Sequence, residues 1–268
     1  MTSDVGARAL ARPRPCAQNS AGLIALSVLL AVTLGGLLWM PPVYQDPGYH
    51  SFADQRTWFG IPNFWNVLSN LPFLAVAAAG AWVLRRGPAF LTGWERAAHW
   101  LLVAGAAAVA LGSGYYHWAP DSSTLFWDRL PMTLVFMSLL AVTIGERISL
   151  RVGGLLLLPL IALGVFSVLN WRLTGDLRLY GAVQFFPMLA LPLLLLLCPA
   201  RYAGQRGIWW MIALYLVAKL LELNDDALAA FLPGGGHPWK HLAAALALLA
   251  YFAGIARRRL NEPPTQSA

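Results

Sequence analysis

Charged residues are scarce in this chain. Asp, Glu, Lys and Arg make up 12% of its 268 residues, where a soluble domain carries about 25%. Hydrophobic residues reach 58%, against about 45–50% in soluble proteins, which excludes an ordinary water-soluble globular domain. Cysteine is nearly absent. Cys16 and Cys198 lie far apart, which argues against a disulfide framework and a thiolate metal site. Strand-like alternation is missing too: runs such as Leu155 to Leu158 and Leu193 to Leu197 do not alternate apolar with polar, as the strands of a membrane β-barrel must.

What the chain has instead is long apolar runs. A helix needs roughly 20 apolar residues to cross a hydrocarbon core. Eight segments meet that length: 21–40, 62–84, 97–117, 125–144, 152–169, 179–198, 207–226 and 238–256. The links between them are short and leave no room for a soluble domain. The expected fold is therefore all-α, a polytopic transmembrane helical bundle.

The formal charge of +7 is a topology signal and not a sign of nucleic acid. Lys and Arg gather in alternate connections: Arg8, Arg12 and Arg14; Arg85, Arg86 and Arg96; Arg147 and Arg151; Arg201 and Arg206; Arg257, Arg258 and Arg259. The intervening loops hold far fewer. Lys and Arg collect on the cytoplasmic side, so both termini are expected there, in a multi-pass protein of the plasma membrane. The first run is longer than the apolar core of a signal peptide and ends in Trp39-Met40-Pro41-Pro42 without a small-residue cleavage site, which reads as a retained helix.

Polar residues inside spanning segments are costly, and each is a candidate for function. Helix three closes on Ser113 and His117, helix four opens with Asp128, and helix eight opens with His237 and His241. On the expected topology all of these lie at the extracytoplasmic end. His237 and His241 are four apart and stack on one helix face. Two imidazoles so placed can chelate one ion, and His117 would complete a three-histidine zinc set with a position left for water. Asp128 is placed to take and return a water proton. Paired haem ligands are a poorer reading, because histidines on adjacent turns face one side of one ion and do not bracket a porphyrin.

Blander readings cover the other polar residues. His99 is expected at the cytoplasmic interface, and His50 in a loop-capping role. Lys219 and Glu222, three apart on one helix, are expected to neutralise one another. Asp225 and Asp226 are either solvated or hold the ring nitrogen of a ligating histidine. Trp65, Trp118, Trp127 and Trp239 fit an interfacial aromatic belt, and Gly112 and Gly114 close helix packing.

These residues resemble the alkaline ceramidase family, among the seven-helix membrane hydrolases that include the adiponectin receptors. Ser113 and His117 match the family's Gly-Ser-x-x-x-His element. Asp128 in Asp128-Arg129-Leu130-Pro131-Met132 matches its Asp-Glu-Leu-Pro-Met element at the same spacing, and His237 with His241 match its late His-x-x-x-His. Asn63-Phe64-Trp65-Asn66-Val67-Leu68-Ser69-Asn70 looks like the family's Glu-Phe-Trp-Asn-x-x-Ser-Asn.

The resemblance covers about 49–256. It implies a seven-helix ceramidase-like core there, preceded by a tail and an extra helix in 1–48 and followed by a short basic cytoplasmic tail in 257–268. It further implies zinc on His117, His237 and His241, proton transfer by Asp128, and a water-positioning or oxyanion role for Ser113. The reaction implied is hydrolysis of ceramide or a related N-acyl lipid, drawn from the bilayer, to a fatty acid and a long-chain amine.

Two departures stand out. The family's acidic N-terminal loop is reduced to Asp54, and the Glu of Glu-Phe-Trp-Asn is Asn63, so no calcium site is expected. Arg129 and Lys240 make the rim of the site more cationic. The alternative function is a metal-containing receptor or sensor on the same core with little turnover. A transporter using Lys219 and Glu222 is disfavoured, since the halves show no internal repeat.

Overall fold

A computed structural model describes residues 20–261. Arg8, Arg12 and Arg14 of the N-terminal tail, Cys16 and the last seven residues lie outside the described part. The helices, in chain order, are α1 (Ser20–Trp39), α2 (Phe64–Leu68), α3 (Pro72–Arg85), α4 (Gly93–Trp118), α5 (Ser122–Arg147), α6 (Leu150–Thr174), α7 (Arg178–Leu197), α8 (Arg206–Leu223), α9 (Asp225–Leu228) and α10 (His237–Ala256). Among the described residues β-structure is limited to isolated bridges, and the all-α expectation holds.

Seven segments are long and apolar enough to cross a membrane: α1, α2 with α3, α4, α5, α6, α7 and α10. The seventh run of the sequence, 207–226, differs from expectation. It forms α8, which stops at Leu223, and its eighteen residues carry Arg206, Lys219 and Glu222. Those three charges take it out of the apolar class. Two of them are matched inside the bundle, because Glu222 pairs with Lys219 and also with Lys240 of α10.

Local chemistry sets the helix ends. Thr92 and Glu95 form a capping box at the start of α4, and Asp121 accepts from the Ser123 and Thr124 amides, both at 2.7 Å, at the start of α5. Each cap satisfies amides that have no partner within the helix. Gly175, with φ of 75°, closes α6 in the left-handed conformation that glycine adopts without penalty.

Small residues bring the site-bearing helices together. A Cβ on Gly112 would lie 2.1 Å from the Trp127 carbonyl oxygen, so α4 and α5 touch backbone to backbone just where Ser113 and Asp128 follow. Gly207 and Gly254 do the same for α8 and α10. Such contacts drive helix association in lipid, where the hydrophobic effect is absent. The main core joins α3, α4, α5, α7, α8 and α10, and a second cluster, including Phe52, Tyr116, Trp171 and Tyr180, lies under the 41–63 loop. Large apolar side chains such as Leu158, Leu173, Leu196 and Leu216 remain exposed, as lipid-facing residues do. α1 runs along α7 and buries only Gly22.

Two expectations are corrected at the far end of the bundle. His99 is fully buried and not interfacial: its Nδ1 lies 2.6 Å from the Glu95 carbonyl and its Nε2 2.9 Å from the Tyr251 hydroxyl. Arg258 is not a solvated tail charge. It reaches back between Glu95 at 3.0 Å and Glu146 at 2.8 Å, stacked 3.4 Å over the Tyr202 ring. A buried guanidinium needs this density of partners, because leaving either carboxylate alone in the interior is costly.

Candidate metal centre

His117 sits in the last turn of α4, and His237 and His241 occupy the first two turns of α10. Ligating atoms of the three lie within 4.8 Å of one another. The Nε2 atoms of His117 and His237 are 3.3 Å apart. Relative exposures of 1%, 5% and 4% put all three side chains out of reach of bulk solvent. Three imidazoles turned toward one point in a dry setting form a group able to hold a metal ion, and a three-histidine set is one that zinc accepts. The donor set fits the group that the sequence implies.

The surroundings fix ring orientation. Ser69 Oγ donates to the Asn66 carbonyl at 3.1 Å and lies 2.7 Å from His241 Nδ1. A hydroxyl whose proton is committed accepts from Nδ1–H, which leaves the Nε2 lone pair of His241 for a metal. The Asp225 carboxylate accepts from the His237 main-chain amide at 2.8 Å and from the Ala53 amide at 3.1 Å. Of the two roles considered for Asp225, it thus serves neither: it anchors the backbone and not a ring. Asn63 Nδ2 donates to the His117 carbonyl at 2.9 Å. His117 Nδ1 is buried without a partner.

A lid of sequence covers the centre. The Phe52 ring stands 4.7 Å from the His117 ring and 4.5 Å from that of His237, closing the side away from the bundle. The loop that carries it is tied down at several points. His50 meets the hydroxyls of Tyr116 at 3.0 Å and Ser122 at 3.3 Å, the capping role expected of it, and partial burial holds its imidazole below the usual pKa while Asp121 opposes the shift. Asp54 accepts from the Trp65 amide at 2.7 Å and, through its other oxygen, from the Arg56 amide, so this carboxylate serves as a cap for α2.

Asp128, in the second turn of α5, is 7% exposed, and its carboxylate lies beside the Ser113 side chain. Asp128 stands outside the ligating group of His117, His237 and His241. Arg129 turns away from any rim. Its guanidinium lies over the rings of Trp171 at 4.1 Å and Tyr180 at 4.7 Å and donates to Gln45. Lys240 does face the centre: its Nζ is 3.3 Å from His237 Nε2 and 2.8 Å from Glu222 Oε1. Lys219 and Glu222 pair as expected, but their link through Lys240 to the histidines was not legible from spacing.

Below the histidines lies an apolar cavity of about 350 Å³, lined by residues including Val109, Met132, Phe136, Tyr215, Ala244 and Leu248. Val109, Met132 and Ala244 stand three or four residues, one helical turn, from Ser113, Asp128 and His241. The cavity therefore begins one turn beneath the polar cluster. Compared with known proteins, the chain matches no protein-family model, no curated protein and no solved structure.

Proposed function

We propose that this protein is an integral membrane, zinc-dependent hydrolase that cleaves the amide bond of ceramide or a related N-acyl lipid, giving a fatty acid and a long-chain amine. The observation that carries the reading is the placement of a three-histidine centre and a buried carboxylate one helical turn from an apolar cavity. Pockets of about 300–1,000 Å³ with few convergent polar groups are the usual form of small-molecule sites. An acyl chain fits the cavity's lining, and the amide it carries then reaches the polar cluster. The resemblance to the alkaline ceramidase family supports the same reaction.

His117, His237 and His241 would hold the zinc. Zinc bound there supplies Lewis acidity, polarising the amide carbonyl and acidifying water. The chain's own residues do the rest. Asp128 takes a proton from the attacking water and returns it to the departing amine nitrogen. Ser113, by donating to that carboxylate, fixes the direction of its free lone pairs. Phe52 keeps bulk water off the histidines, and the cavity binds the acyl chain so that the amide carbon is held in place.

The test is incubation of detergent-purified protein with a panel of N-acyl lipids that includes ceramide, with released fatty acid as the readout. Release that stops on chelation and returns with zinc is the expected result. Folded, zinc-loaded protein that releases no fatty acid from any member would overturn the hydrolase reading and favour the sensor. We also propose the plasma membrane as its location, with both termini cytoplasmic. A reporter fused after Ala268 should then be cytoplasmic, with α8 crossing as an eighth span, and an extracytoplasmic signal would leave only the seven apolar segments as spans.

A further inference from the structure

Lys240 stands where a two-histidine helix face does not require a cation. It follows His237 by three residues on α10, and its Nζ is as near to His237 Nε2 as the His117 nitrogen is, both at 3.3 Å. An ammonium group at this depth is held only by a partner, and Glu222 is that partner at 2.8 Å. The carboxylate is shared, however. Its other oxygen pairs with Lys219, so two ammonium groups divide one negative charge. The trio keeps a net positive charge, and it does so beside the ring nitrogens, at the head of the apolar cavity. That is the place where the oxygen of a bound acyl group has to sit.

The geometry points to Lys240 as a catalytic residue whose ammonium receives the acyl oxygen of the bound lipid, first as the amide carbonyl and then as the carboxylate of the released fatty acid. The assignment rests on the hydrolase reading given above. As the water oxygen bonds to the amide carbon, the π pair of the carbonyl moves onto the acyl oxygen, and Lys240 donates a hydrogen bond to it. When that pair returns, the C–N bond breaks and its electrons leave with nitrogen, which takes the proton carried by Asp128. The second water proton passes from the new carboxylic acid to the freed amine, which leaves as an ammonium, so the carboxylate faces a Lys240 ammonium that has exchanged no proton. Glu222 is a positioning residue, aiming Nζ at the centre. Lys219 pairs with the far oxygen of Glu222 and serves as the control.

The test is titration of zinc-loaded, detergent-purified protein with oleate and with oleyl alcohol, which share a chain and differ in charge. Lys240→Gln should weaken oleate binding by about 10- to 100-fold, as loss of a hydrogen bond to a charged group does, with oleyl alcohol binding and zinc content unchanged. Lys240→Arg should recover part of the oleate affinity, and Lys219→Met, which removes the trio's net charge but leaves the donor in place, should lose clearly less than Lys240→Gln does. On a lipid that is turned over, Lys240→Gln should lower kcat by about 10²- to 10³-fold with a smaller change in KM.

Oleate binding by Lys240→Gln as tight as wild type overturns the assignment. So does an equal loss in Lys219→Met, which would make the ion-pair trio a structural unit. Should Lys240→Gln not fold, the wild type still decides, since equal affinity for oleate and oleyl alcohol also overturns it. If no N-acyl lipid is hydrolysed while oleate preference depends on Lys240, the hydrolase reading falls and the carboxylate site stands.

Discussion

Asp128→Asn is expected to lower turnover of a lipid amide by about 10³-fold while zinc stays bound, in line with the 10²- to 10⁴-fold usually supplied by a positioned acid or base. The amide of Asn keeps the shape of the carboxylate, so the local packing survives. What it loses is the ability to hold a proton between water and the leaving nitrogen. Zinc should be retained because the ligating group consists of His117, His237 and His241 without Asp128. Product release and metal content, measured on the same preparation, check both halves of the prediction. Undiminished turnover removes Asp128 from the mechanism. Loss of zinc would instead make the carboxylate part of the metal site.

The histidine triad was legible in the sequence because its parts are local signals. His237 and His241 share a helix face by their spacing, and His117 is a costly residue at the end of an apolar run. Their convergence follows from helix crossings that the glycines advertise. Gly112 permits the backbone contact that sets α4 against α5, and the sequence showed it only as a small residue. Other parts of the site were not legible, because the partners are distant along the chain. Ser69 meets His241 across 172 residues, and Lys240 meets Glu222 across 18. Neither pairing leaves a period or a motif.

Charge counting also reached a limit. It treated Arg258 as a tail residue, whereas Glu95 and Glu146 draw it into the bundle. It treated 207–226 as an apolar run, whereas Lys219 and Glu222 of α8 find partners inside the protein. Hydropathy sees the residues of a segment one by one, and a charge that is matched by a neighbouring helix looks the same to it as one that is not.

His241→Ala should cost the protein its zinc, from about one per chain to a small fraction of that, because two imidazoles and a water make a much weaker site than three imidazoles. Ser69→Ala tests the same centre more finely. It removes no ligand, yet it deprives His241 Nδ1 of the hydroxyl 2.7 Å away that directs Nε2 toward the metal, and partners of this kind are worth about 10- to 100-fold in metal affinity. His99→Ala and His50→Ala are the controls. Both rings are engaged with hydroxyl and carbonyl groups away from the triad, so both variants should bind zinc as the wild type does. The order of affinities, with wild type, His50→Ala and His99→Ala together, Ser69→Ala below them and His241→Ala last, is specific to a metal held by this cluster. Zinc retained in full by His241→Ala would mean that the metal sits elsewhere, and the buried imidazoles would then have to be stabilised by Lys240, Ser69 and one another alone.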